Sequence, residues 1–185
     1  MANCRQNSTQ TILEHGQAVQ HHLSLLYDYT TGKMNELPNH ILPDWLIENR
    51  SYISAKLLDK DTLMEYALYH DCGKPLCQTI GQDGKIHFPD HTQVSYNLWK
   101  DQGGDETIGQ LILHDMDIHT ISADAIPEFA KSPLSASLLL SGLAEIHANA
   151  EMFGGIESTS FKIKYKHIYR RGKALLAAWK ALDIA

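Results

Sequence analysis

Apolar residues recur along this chain at the three- and four-residue spacing of amphipathic helices. The stripe Ile12, Val19, Leu23 and Leu26 predicts a first helix, capped by Ser8 or Thr9 and stopping near Thr30–Gly32. His15 and Gly16 fall on that stripe. Pro43 suits the first turn of a second helix, PDWLIENRSYISAKLL. Asp61, with Thr62 and Glu65 at capping-box spacing, opens a third, which runs through LMEYALYHD and stops at Gly73-Lys74-Pro75. The stretch QTIGQDGKIHFPD reads as a Gly-rich loop or small hairpin. Asp90 caps a fourth helix, HTQVSYNLWKDQ, which Gly103-Gly104 breaks. A fifth follows in ETIGQLILHD and a sixth in LSASLLLSGLAEIHANAEMF, which ends at Gly154-Gly155. In the tail, Phe161, Ile163 and Tyr165 alternate with lysines as a strand would. Over the longer window Phe161, Tyr165, Ile168, Leu175, Trp179 and Leu182 keep helical spacing, so the tail is expected to be helix. The pattern predicts an all-α fold in one domain over residues 1–185.

At 185 residues the chain is long enough to bury a core without help from disulfides or metal. Hydrophobic residues at 43% and charged residues at 21% exclude a disordered composition. The formal charge of −6 argues against a nucleic-acid coat or a basic membrane-surface protein. That total hides a split. Residues 160–185 hold seven basic side chains against Asp183 alone, a net +6, and residues 1–159 carry −12. Cys4, Cys72 and Cys77 do not sit at zinc-finger spacing and suggest a reducing compartment. The polar start MANCRQNSTQ lacks a signal-like segment, and no apolar run approaches the roughly 18 residues of a membrane span. The expectation is a soluble cytoplasmic protein with no membrane and no stable nucleic-acid partner; a homo-oligomer stays open. Histidine is the unusual component, with 11 copies. Imidazole is both the commonest metal ligand and the side chain that titrates nearest neutral pH.

His70-Asp71, near the end of the third helix, is the strongest local feature. Neighbouring helical residues diverge by about 100°, so both reach one cation only if it lies beside the helix. The segment YALYHDCGKP, residues 66–75, resembles the signature of the HD superfamily of metal-dependent phosphohydrolases: an apolar helix ending in H-D-x-G-K. The other pieces of that signature follow in order over roughly residues 12–150. His15 stands in EHGQAV, His91 in HFPDHT and His114 in LILHD, and the late helix contains LAEIHANA. Cys72 takes a place usually held by an aliphatic residue, and the late helix lacks the usual Asp. Its candidate replacements are Glu145, which keeps the carboxylate, and His147, which has small or apolar neighbours three and four residues earlier in Ala144 and Leu143. His147 is the favoured one.

The resemblance implies a single HD-type helical domain with a metal site between core helices, its motif-bearing core at about 8–155 and a basic helix at about 158–183. It implies one or two divalent ions, of Mn, Fe, Co, Ni, Zn or Mg. His15, His70, Asp71 and His147 would hold the first, and His91 and His114 a second bridged by Asp71. Asp71, Lys74 and Asp115 would be the catalytic side chains. Lys74 would also steady a phosphate oxygen, and Asp115 or Asp117 would orient water or protonate the leaving oxygen. The implied activity is cleavage of a phosphate ester or anhydride of a small phosphorylated substrate, with a nucleotide favoured. The basic tail adds substrate contacts at Lys162, Lys166 and Arg170, or is a solvated face. Two alternatives keep the fold: a di-iron oxygenase, and a non-catalytic nucleotide-binding module. His87 competes with His91 for its role, and His119 is expected near the pocket. His21, His22 and His40 are expected at the surface.

Overall fold

A computed structural model describes residues 1–7, 10–82 and 84–184. Helix α1 (Ile12–Thr30) starts at Thr11, whose side chain accepts from the Glu14 backbone while Glu14 accepts from the Thr11 N–H at 2.7 Å. This reciprocal box is the cap; Ser8 and Thr9, expected in that role, lie outside the described residues. The helix expected after Pro43 splits into α2 (Asp44–Glu48) and α3 (Arg50–Ser54). Asn49 makes the break: its backbone leaves the helical range at φ −126° and its side chain bonds the Trp45 carbonyl at 2.9 Å.

Helix α4 (Lys60–Tyr69) begins two residues earlier than expected, because Asp59 and not Asp61 accepts from the Thr62 N–H at 2.9 Å. Such a cap stabilises a helix by about 1 kcal/mol. His70 closes α4, and a tight turn leads into α5 (Lys74–Cys77). The Gly-rich stretch folds as a two-stranded antiparallel hairpin, β1 (Thr79–Ile80) with β2 (Ile86–His87). Then come α6 (His91–Asp101) and α7 (Glu106–Leu113), the latter capped by Asp105. Short helices α8 (Asp117–Thr120) and α9 (Ile126–Phe129) follow, then α10 (Ser135–Met152) and α11 (Thr159–Leu182). Asp90 precedes α6 in the left-handed region, at φ 52°, and its side chain makes no capping bond.

The fold is all-α. Helix α1 lies in the middle, packed on α4 and α10; α10 is covered in turn by α11, and α4 by α7. Ile12, Val19, Leu23 and Leu26, the stripe read from the sequence, are all buried, and the last three share one continuous core with Leu63, Ala67, Leu139 and Leu143. Each such side chain contributes roughly 1.5–3 kcal/mol through removal from water. Trp45 of α2 packs where Gly172 of α11 leaves room: a Cβ there would meet the indole at 2.3 Å. Arg50 fastens the loop after α1, bonding the Tyr29 and Met34 carbonyls with its guanidinium over the Tyr29 ring. Among the described residues no helix is long and apolar enough to cross a membrane.

Candidate metal centre

Two close approaches bring the motif residues together. At Gly16, one residue after His15, a Cβ would stand 2.4 Å from the Leu68 carbonyl oxygen, so α1 presses directly on the last turn of α4. At Gly73 a Cβ would stand 2.4 Å from the Ser95 backbone nitrogen, which brings the start of α6 against the turn after His70-Asp71. Glycine is required at both places because the space is filled by backbone.

His15, His70 and Asp71 each offer a donor atom within 4.8 Å of the others, and all three are buried. His70 Nε2 is 3.3 Å and His15 Nε2 3.8 Å from Asp71 Oδ2. His91 Nε2 approaches the other carboxylate oxygen, Oδ1, at 3.7 Å. Donors bound at about 2.0–2.2 Å to one ion are separated by roughly 3–3.5 Å, close to these spacings. His70 Nδ1 donates to the Ala67 carbonyl at 2.8 Å, and His91 Nδ1 bonds the Phe88 carbonyl at 3.2 Å. In the neutral ring that bond fixes the tautomer and turns an unprotonated Nε2 toward Asp71.

The trio fits a cation in a further respect. Both ring nitrogens of His15 are buried without a hydrogen-bond partner among the described residues. Orphaned buried polar atoms are costly, and a metal on Nε2 satisfies one of these. Burial, followed by the neighbouring His70 charge, lowers the His15 pKa to about 4, so the ring stays neutral and able to ligate. Burial would lower His70 as well, but the adjacent Asp71 carboxylate outweighs it and raises the pKa to about 10. The same pairing, with Lys74, holds Asp71 well below the usual carboxylate range against the effect of burial. The centre is therefore compatible with a divalent metal.

Lys74 joins this cluster. Its Nζ is 2.6 Å from Asp71 Oδ2 and 3.2 Å from Gln6 Oε1, and it lies over the Phe88 ring. Asp115 is buried, accepts from the Tyr66 hydroxyl, and is close enough to His70 for their charges to interact. Burial raises its pKa. Glu145 acts on both His15 and His70, and its Oε2 lies 2.8 Å from His119 Nε2. Burial alone would raise Glu145, but the His119 charge draws it far below its usual value.

Three expectations are corrected. His147 does not face the cluster. Residues two apart on a helix point about 200° apart, so Glu145 and His147 look to opposite sides of α10. His147 is held by bonds at both nitrogens: Nε2 accepts from the Ile41 N–H at 3.1 Å and Nδ1 donates to the Leu143 carbonyl at 2.8 Å. No lone pair is left for a metal. It belongs to a second group with His22 and His40, which are not simple surface residues: His22 is buried and His40 stacks on the His147 ring at 4.7 Å.

His114 is the second correction. It turns away from Asp71, pairs with Asp117 at 2.8 Å, and lines a groove with Leu58, Phe129 and Leu134. At the end of α7 one neighbour must point in and the other out, and Asp115 takes the inward place. The third concerns the basic helix. Lys162 pairs with Glu157 at 2.9 Å, and Lys166 and Arg170 are exposed on the outer face. Lys164, His167 and Arg171 instead line a cavity together with Glu145 and His119. Their phase was readable: Lys164 and Arg171 fall four before and three after buried Ile168, whereas Lys166 and Arg170 lie on the opposite side. His87 is exposed in β2.

Residues 32–150, more than half of the chain, match the family model of the HD domain. The chain belongs to the HD-domain family. The match contains His70-Asp71 and Glu145 and begins after α1, so His15 reaches this HD domain's centre from outside the matched segment. Comparison with curated proteins and with solved structures gives no match.

Proposed function

We propose that this HD domain is a metal-dependent phosphohydrolase that cleaves a phosphate ester or anhydride of a nucleotide. The observation that carries the reading is the buried His15–His70–Asp71 cluster with a lysine ammonium at its edge. His15, His70 and Asp71 would hold the ion, and His91 flanks it. When bound, a divalent ion there supplies a water of lowered pKa and a Lewis acid for a phosphoryl oxygen.

The protein's own side chains do the rest. The Ala67 and Phe88 carbonyls orient His70 and His91, so the ligand atoms point inward before any ion arrives. Lys74 holds a positive charge in a nearly water-free position, where it steadies a phosphate oxygen more strongly than a solvated lysine would. Phosphoryl transfer needs charge neutralisation and positioning more than covalent help, and Lys74 and the imidazole cluster offer both. The late helix lacks the usual Asp, and that absence favours a non-catalytic module. Glu145 supplies a carboxylate whose charge acts on His15 and His70, and so removes that ground.

Hydrolysis of a panel of nucleoside mono-, di- and triphosphates and cyclic nucleotides, followed by chromatography of the products, tests the proposal, with wild type and Asp71→Ala. Metal-loaded wild type is expected to hydrolyse a member of the panel with or without oxygen. Asp71→Ala is expected to fall by more than about 100-fold, since even outer partners of a metal site cost 10–100-fold. Equal activity in the variant, or turnover that persists after chelation, would refute the mechanism; turnover that needs oxygen would transfer the site to oxidation chemistry.

A further inference from the structure

Lys164, His167 and Arg171 line one wall of a cavity of about 290 Å³ beside α8, α10 and α11. Among the described residues no carboxylate forms an ion pair with Lys164 or Arg171, although neighbouring Lys162 pairs with Glu157. Arg171 is partly buried, and its Nε donates to the Ile121 carbonyl at 3.3 Å. That bond engages Nε, and among the described residues the two terminal nitrogens have no hydrogen-bond acceptor. The one acid in the lining, Glu145, is engaged by His119 at 2.8 Å, so its charge does not cancel the lysine and arginine. Ile146 and Ile168 supply an apolar wall.

We infer that this cavity binds a phosphate group between Lys164 and Arg171, with the organic part of a small phosphorylated molecule against Ile146 and Ile168. A guanidinium fork beside an ammonium matches phosphate geometry and charge. The volume stands at the small end of ligand pockets, which suits a compact phosphorylated molecule. Two sources share this chemistry: a second phosphate of the hydrolysed substrate, or a separate phosphorylated ligand that binds behind the Glu145–His119 pair. The inference goes beyond the proposed hydrolysis, because phosphate binding on α11 stands whether or not the metal centre turns over.

The test is calorimetric titration of inorganic pyrophosphate into the full chain as purified, and into Lys164→Ala, Arg171→Gln and Asp71→Asn. Lys164 is exposed, so its truncation leaves the core intact, and thermal melting checks that Arg171→Gln is folded. Wild type is expected to bind pyrophosphate, Asp71→Asn to retain the binding that depends on α11, and each α11 variant to bind about tenfold more weakly. No binding to wild type, binding lost only in Asp71→Asn, or folded α11 variants that bind as wild type does would each overturn the inference.

The source is separated by nucleotide turnover. If the substrate's own phosphate fills the cavity, Lys164→Ala raises KM several-fold at nearly constant kcat and pyrophosphate competes. If a separate ligand fills it, KM is unchanged and pyrophosphate alters the rate without competing. A chain that hydrolyses no nucleotide yet binds pyrophosphate through α11 would sink the proposed function and leave this site standing.

Discussion

Two groups of three histidines pack against the same helices, α1 and α10, and their wiring is opposite. Around Asp71, His70 and His91 spend one nitrogen each on a backbone carbonyl and aim the other at a carboxylate, while His15 spends neither. Around His147 both nitrogens of each ring are used. His22 bonds His40 and Glu151, His40 bonds His22 and the Pro38 carbonyl, and His147 bonds Leu143 and Ile41. The carboxylate differs as well: Asp71 is buried at the centre of its group, whereas the Glu151 side chain is 60% exposed at the edge of the other. A count of histidines does not distinguish a metal site from a structural joint. Ring nitrogens left uncommitted to the backbone and gathered around a buried carboxylate do.

The largest effect expected from breaking this contrast is on Asp71. Asp71→Ala removes the shared carboxylate and is expected to abolish metal retention and activity, read by elemental analysis and nucleotide hydrolysis. Next is Gly16→Ala. Its methyl would meet the Leu68 carbonyl oxygen at 2.4 Å, so α1 must move off α4. A loss of roughly 3 kcal/mol in urea unfolding is expected, with weakened metal binding because His15 rides on the same turn.

The second group predicts a pH effect. Burial lowers the His147 pKa from 6.5 to about 4. A histidine with a depressed folded pKa is protonated between those values only in the unfolded chain, so its contribution is full above about 6.5 and is lost as pH falls toward 4. Between pH 7 and pH 5 wild type is expected to lose about 2 kcal/mol more stability than His147→Gln, which does not titrate there. The subtraction matters because in the metal-free proteins His70, raised to about 10, acts with the opposite sign in both: its contribution is full below about 6.5 and is lost as pH rises through 10. The smallest effect belongs to Glu151→Gln. That exposed partner of His22 contributes under about 1 kcal/mol to thermal stability, and metal content is expected to stay unchanged.

Much of this was legible in the residues. The helical stripe of α1 follows from spacing and the hairpin after Pro75 from turn chemistry, while the order His15, His70-Asp71, His91 was read through the resemblance to the HD signature. The direction of side chains on α10 did not. Ser135 through Ala144 are buried without a break, so that stretch of the helix shows no polar face from which to phase Glu145 against His147. His114 and Asp115 posed the same problem at a helix end, where adjacent residues diverge and either one can be the inward member. Helix α11 is the opposite case. It has one buried stripe through Phe161, Ile168, Leu175 and Trp179, and phasing the lysines against it points to Lys164 and Arg171. Counting charge without phase selected the outer face.

The most direct test is the divalent-metal content of three purified forms: wild type, His70→Asn and His147→Asn. Wild type and His147→Asn are expected to carry equal metal, and His70→Asn to carry none. Metal kept in His70→Asn and lost in His147→Asn would contradict the assignment and move the site to the other histidines.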